Sequence, residues 1–340
     1  MYLTFELDQI SDKARNLART TDNPHIIRAL LDSSDLEVLT GIAKNINTHY
    51  TILEFLAYDM FEPIREGVAE NTNTPAFILS KLANDESKNV ISAVAKNCNT
   101  PAETLSELAL ANDGLRAIIA RNPNASEELL KVLSESQWKH TRMGVADNPN
   151  TSAAILDKLS EDNSENVRGL VAKNENTSVE TLIKLAHDRS ERVLLGLAFN
   201  KNTPAFVLRK LVKSGRNYMS DVVEEALTNP NMSPNILDEY ADRYPICIAK
   251  NPNAWKKTLD GLSESDSSIV RVEVAKNPNA SARTLKKMSN DKCLTVRLAV
   301  SLNKNTGKKV LKKLMQDECR HVRFAAERNL IGNSTVIVNV

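Results

Sequence analysis

Hydrophobic positions along this chain repeat as a unit, usually of 26 residues, rather than as one continuous helical or strand-like pattern. Each unit opens with an apolar pair at i, i+3 and closes with two aliphatic residues at i, i+4. Both spacings gather apolar side chains on one face of a helix, so each unit predicts two short helices separated by turns. The leading position is leucine in all eleven copies: Leu53, Leu79, Leu105, Leu130, Leu156, Leu182, Leu208, Leu237, Leu259, Leu285 and Leu311. Three residues on, only Tyr240 and Met288 break a second leucine column.

The polar positions punctuate these helices. An N-x-N signature begins at Asn45, Asn71, Asn97, Asn122, Asn148, Asn174, Asn200, Asn229, Asn251, Asn277 and Asn303, with Asn329 in register and Asn23 resembling a degenerate first copy. The first Asn is expected to end the second helix in a left-handed conformation, with prolines such as Pro123, Pro149 and Pro278 preventing continuation. Thr74-Pro75, Thr100-Pro101 and Thr203-Pro204 read as an N-cap followed by the first helical residue. An Asp or Ser fourteen residues after the first Asn, as at Asp59, Asp85, Asp162, Asp291 and Asp317, reads as the cap of the second helix. Both Asn columns read as turn ladders whose amides satisfy backbone groups. An arginine six residues before the Asn, at Arg65, Arg116, Arg142, Arg168, Arg271, Arg297 and Arg323, is expected to bridge to the Asp or an adjacent turn. Helices of about ten residues are marginal alone, so stability must come from stacking.

The composite V-R-x-x-V-A-x-N-P-N-T, then L-x-x-L-x-x-D, resembles the leucine-rich repeat variant family and, more loosely, HEAT-like repeats. The resemblance runs from about Asn23 to Asn329. Together with the periodicity it implies an all-α fold, an α-solenoid (right-handed superhelix) of about twelve 26-residue two-helix repeats. An iron–sulfur cluster known in one member is not carried over, because the first cysteine is Cys98 and no group of four follows. The expected organisation is an N-terminal cap at 1–20, regular repeats at 21–211, an irregular region at 212–250, regular repeats at 251–330 and a C-terminal tail at 331–340.

Charge and composition narrow the function classes. The 44 basic and 43 acidic residues sum to +1, which gives no global field toward nucleic acid or membrane. No apolar run reaches the roughly 18 residues of a membrane span and no signal-peptide layout opens the chain, so a cytoplasmic protein is expected. Cys98, Cys247, Cys293 and Cys319 form no C-x-x-C pair and read as free thiols. Equivalent placement of Cys293 and Cys319 in neighbouring repeats sets them too far apart for a disulfide. The five histidines share no metal-ligand spacing, and no nucleophile elbow or phosphate loop occurs. No catalytic residue, cofactor or metal is therefore assigned, and no enzyme activity is expected.

Two features go beyond the repeat. The residue before the repeat Asn is basic at Lys44, Lys96, Arg121, Lys173, Lys250, Lys276 and Arg328, and four residues earlier the C-terminal copies carry Ile246, Val272, Leu298 and Phe324. The register also breaks between Asn200 and Asn251, around Ser214, Gly215, Arg216, Asn217 and Tyr218 and around Tyr240 to Pro245. The expected function is a non-enzymatic protein-binding scaffold or inhibitor, with partner contact at Tyr244, Ile246, Lys250, Trp255, Val272 and Lys276. The alternative is a nucleic-acid-binding repeat protein using the basic column on the second helices.

Overall fold

A computed structural model describes residues 2–214 and 220–332. The register-break residues 215–218 and the apolar tail 335–340 lie outside them. The described residues form twenty-five α-helices and one 3-10 turn, with no strand. They fall into two compact units, Met1–Asn176 and Thr177–Val340, and the same construction runs within each.

In the first unit the second helices Leu36–Lys44, Glu62–Glu70 and Lys88–Lys96 stack successively, and in the second unit Pro245–Lys250, Ser268–Lys276, Leu294–Leu302 and Arg320–Gly332 do the same. The first helices, such as Ala76–Leu82 and Ala282–Met288, form a second layer against them. All eleven leading leucines are buried between the layers. Close stacking needs small residues: Ala43, Ala69, Ala95 and Ala146 are wholly enclosed. At Gly144 an added Cβ would lie 2.8 Å from both the Ala117 carbonyl oxygen and the Ala120 Cβ. Gly144→Ala should therefore cost about 1–3 kcal/mol, read as a lower urea midpoint, because a backbone oxygen cannot yield like a flexible side chain.

The first Asn that follows the second helix is extended at nine of the eleven copies, not left-handed as expected: Asn148 has φ −71° and ψ 126°. This conformation turns the amide inward. Asn148 Nδ2 donates to the carbonyls of Ala120 and Asn122, both at 2.8 Å, and its Oδ1 accepts the Asn150 N–H at 2.9 Å. Asn71, Asn97, Asn251, Asn277 and Asn303 repeat the arrangement, so each joins its repeat to the one before. Asn45 reaches Ala18 and Thr21, which places Thr21 at the first-Asn position of the opening copy. Asn23, two residues on, instead caps Pro24–Leu30 by accepting the His25 N–H. The helix Tyr2–Thr20 thus stacks on Leu36–Lys44 as a second helix would.

Both helix starts also differ from the caps read in the sequence. Pro75, not Thr74, stands at the N-cap of Ala76–Leu82. Thr74 is fully buried, and its hydroxyl donates to the Val68 carbonyl at 2.6 Å. Thr48, Thr100, Thr151, Thr203 and Thr306 likewise satisfy a carbonyl of the helix just ended. The Asp likewise stands two residues ahead of the second-helix N-cap. Asp85 Oδ1 accepts the N–H of Ser87, the actual N-cap, while its carboxylate receives Nε and Nη2 of Arg65 at 2.7 and 3.0 Å. Arg65 Nη1 also holds the Asp59 and Met60 carbonyls, so one guanidinium ties two successive loops. Arg142–Asp162, Arg271–Asp291 and Arg297–Asp317 follow suit, and so does Arg15–Asp35, an arginine outside the column read from the sequence. Arg116 departs because Ser136 stands where its Asp would be; it turns to the Ala109 carbonyl and Asp113.

These pairs set an acid limit. The Arg297 bonds hold the Asp317 carboxyl below its usual range against the opposing effect of burial. Burial pushes Asp85 up more strongly, yet the Arg65 and Ser87 bonds together still bring it below its usual range. A carboxyl depressed in the folded state contributes stability that is complete above its unfolded pKa, near 3.8, and lost as pH falls through the folded value. The melting temperature should fall as the pH drops below about 4, and Asp317→Asn should remove part of that fall while lowering stability at neutral pH.

Candidate functional site

The structure brings four of the six expected contact residues together. Ile246 and Lys250 lie on Pro245–Lys250, and Val272 and Lys276 on the adjoining Ser268–Lys276. Val270, Val274 and Ala275 take the inward face of the second of these helices, which leaves Val272 half-buried and Lys276 exposed. The apolar column continues onto Leu294–Leu302, where Leu302 is 60% exposed. Val272, Lys276, Thr295, Leu298, Ala299, Leu302 and Asn303 line an open groove of about 370 Å3. One repeat further, Phe324 is also exposed and Arg328 lies over its ring.

The other two residues sit elsewhere. Tyr244 is the N-cap of a second helix cut to six residues, with Pro245 as its first helical residue. It is half-buried, stacks on Tyr240 with centroids 6.4 Å apart and carries Arg243 over its ring. Trp255 lies across the Asn turn at the start of Lys256–Leu262, in a separate depression with Asn253, Lys256, Lys257 and Asn279. Lys257 Nζ stands 4.5 Å from its ring centroid.

The basic column is partly neutralised. Lys44 pairs with Glu70, Arg121 with Asp147, and Lys276 with Glu273. Nearby, burial pushes the Glu225 carboxyl up, with Lys250 offsetting only part of the effect. Burial also raises the Cys247 thiol, away from the thiolate that a nucleophile needs. Among the described residues no group of three or more His, Cys, Asp or Glu could hold a metal ion, and the four cysteines are free. No described helix is long and apolar enough to cross a membrane.

One set of exposed aromatics escaped the sequence reading, and two of them, Phe55 and Tyr58, line one depression. Tyr50, Phe55, Tyr58 and Phe61 are all exposed, and Lys81 Nζ meets the Tyr58 hydroxyl at 2.6 Å. Their signal was the placing of aromatics at solvent-facing positions of a two-helix repeat whose leucines already fill the core.

Short paired helices in two layers, joined by buried Asn and Arg bridges, define an α-solenoid repeat protein. Residues 89–142 match the Leucine Rich Repeat Variant domain, so the chain carries this repeat in its first unit. A solved structure described as a leucine-rich repeat variant with a novel repetitive structural motif is 20% identical, with 73% of this chain and 88% of that one covered and a TM-score of 0.37. An engineered protein of known structure is 16% identical over 95% of this chain and 94% of its own, with a TM-score of 0.19. At these scores the fold assignment rests on the repeat geometry itself. No curated protein matches the chain.

Proposed function

We propose that the chain is a non-enzymatic protein-binding scaffold whose C-terminal second helices take an extended or helical segment of a partner protein. The observation that carries this reading is the groove in which Val272, Leu298, Ala299 and Leu302 supply apolar walls beside Lys276, with Lys250 on the adjoining second helix. Apolar anchors entering a groove supply most of the energy in such recognition, and cationic flanks favour acidic residues beside the anchor. The interior side chains are accounted for by stacking, whereas nothing in the repeat requires leucine at an exposed position such as Leu302. A nucleic-acid reading of the basic column on these helices has less support, since Leu302 interrupts the column and Lys276 is paired within its own helix.

Panning a displayed peptide library on the immobilised full chain tests the reading. Retained peptides should combine two apolar anchors with acidic neighbours, and Leu302→Asp should weaken their binding about 30-fold, as loss of a hot spot does. Peptides that bind Leu302→Asp and Val272→Glu variants as tightly as the parent would rule out the groove.

A further inference from the structure

The total charge of +1 conceals an opposition between the two units. Residues 1–176 contain 17 Lys and Arg against 26 Asp and Glu, whereas residues 177–340 contain 27 against 17. Much of the C-terminal excess lies on the first helices rather than the second. Lys256–Leu262 carries Lys256 and Lys257; Ala282–Met288 carries Arg283, Lys286 and Lys287; Lys308–Leu314 carries Lys308, Lys309, Lys312 and Lys313. All nine are exposed. The three helices are neighbours: the Thr284 hydroxyl donates to Asp260, Lys287 pairs with Glu264 and Lys313 donates to Asn290. Lys257 and Lys287 have carboxylate partners, but Lys256, Arg283, Lys286, Lys308, Lys309 and Lys312 make no ion pair among the described residues.

We infer that this face binds the phosphate backbone of a nucleic-acid duplex, without reading its sequence. Six unpaired cations on adjoining helices form a concentrated positive field that folding alone does not explain. Their chemistry selects the partner. Five are lysines, point charges suited to phosphate contacts that position a duplex rather than to base reading. Leu259, Leu285, Leu311 and Leu314 of these helices are buried and Leu262 is half-buried, so apart from Trp255 at the edge no large apolar side chain stands fully exposed among the cations to enter a bilayer or anchor a protein interface. Single-stranded nucleic acid would want a row of stacking aromatics, and only Trp255 stands at the margin, its ring already covered by Lys257. This face is separate from the apolar groove, so either assignment can fail without the other.

The test is fluorescence anisotropy of the full chain with a labelled 20-base-pair DNA duplex of arbitrary sequence, between 50 and 200 mM KCl. The expected result is binding whose log–log salt slope is about −4, below the limit of roughly −5 that six phosphate contacts would set. Changing Lys286, Lys308, Lys309 and Lys312 together to Gln should flatten the slope by about 3 and weaken binding at least tenfold at 50 mM. Lys250→Gln with Lys276→Gln should leave both unchanged, and circular dichroism melts of all variants should coincide. Absence of duplex binding at 50 mM overturns the inference, as does a slope unaffected by the quadruple change. Tighter binding to a single strand of equal length overturns the duplex assignment. Retention on phosphatidylserine vesicles, or salt-sensitive self-association in sedimentation velocity, with no duplex binding, would assign the face to a membrane or a second copy instead.

Discussion

Replacing Asn148 with Ala should lower the stability of the first unit by about 3 kcal/mol or more. The change removes both donors from the buried carbonyls of Ala120 and Asn122 and the acceptor from the Asn150 amide. Each orphaned buried group costs about 1–3 kcal/mol, and no water replaces an amide at a residue with 0% exposure. Asn150 provides the control. Its Nδ2 donates to the Pro123 carbonyl at 2.7 Å from an exposed position, so Asn150→Ala should cost under about 1 kcal/mol. Urea titration of the two variants measures the difference. Equal midpoints would show that the buried column does not hold neighbouring repeats together.

Leu156→Ala is the second large effect, at about 2–5 kcal/mol. Leu156 has 0% exposure between the layers, and truncation leaves a cavity that neighbouring rigid helices close only in part. Val132 lies on a first helix of the same unit but is 68% exposed, and Val132→Ala should stay within about 0.5 kcal/mol of the parent. A thermal midpoint for Leu156→Ala that matches Val132→Ala would place the leucine column on the wrong face.

The leucine, Asn and Arg columns were legible in the sequence because eleven copies expose each constraint as a column. What the columns could not show was direction. Thr74 before Pro75 carries the signature of a cap, but whether its hydroxyl turns forward to an amide or back to the Val68 carbonyl depends on the inward turn of the chain. Asp85 was misplaced by two residues for a related reason, since a carboxylate can receive a loop amide and a neighbouring arginine at once. In the candidate site, periodicity pairs Ile246 with Lys250 and Val272 with Lys276, each pair four residues apart on one of two adjoining second helices. Trp255 and Tyr244 were included as aromatics flanking the register break, but a turn places Trp255 in another depression and a shortened helix draws Tyr244 against Tyr240. The basic first helices went unread because the sum of charges cancels between units.

The claim that function resides in the C-terminal groove is tested most directly by hydrogen exchange of the full chain, with and without a saturating peptide selected by panning. The account predicts slowed exchange concentrated in Ser268–Lys276 and Leu294–Leu302 and no change in Ala76–Leu82 or Ala153–Leu159. Slowing confined to residues 1–176, or to the first helices of the second unit, would contradict it.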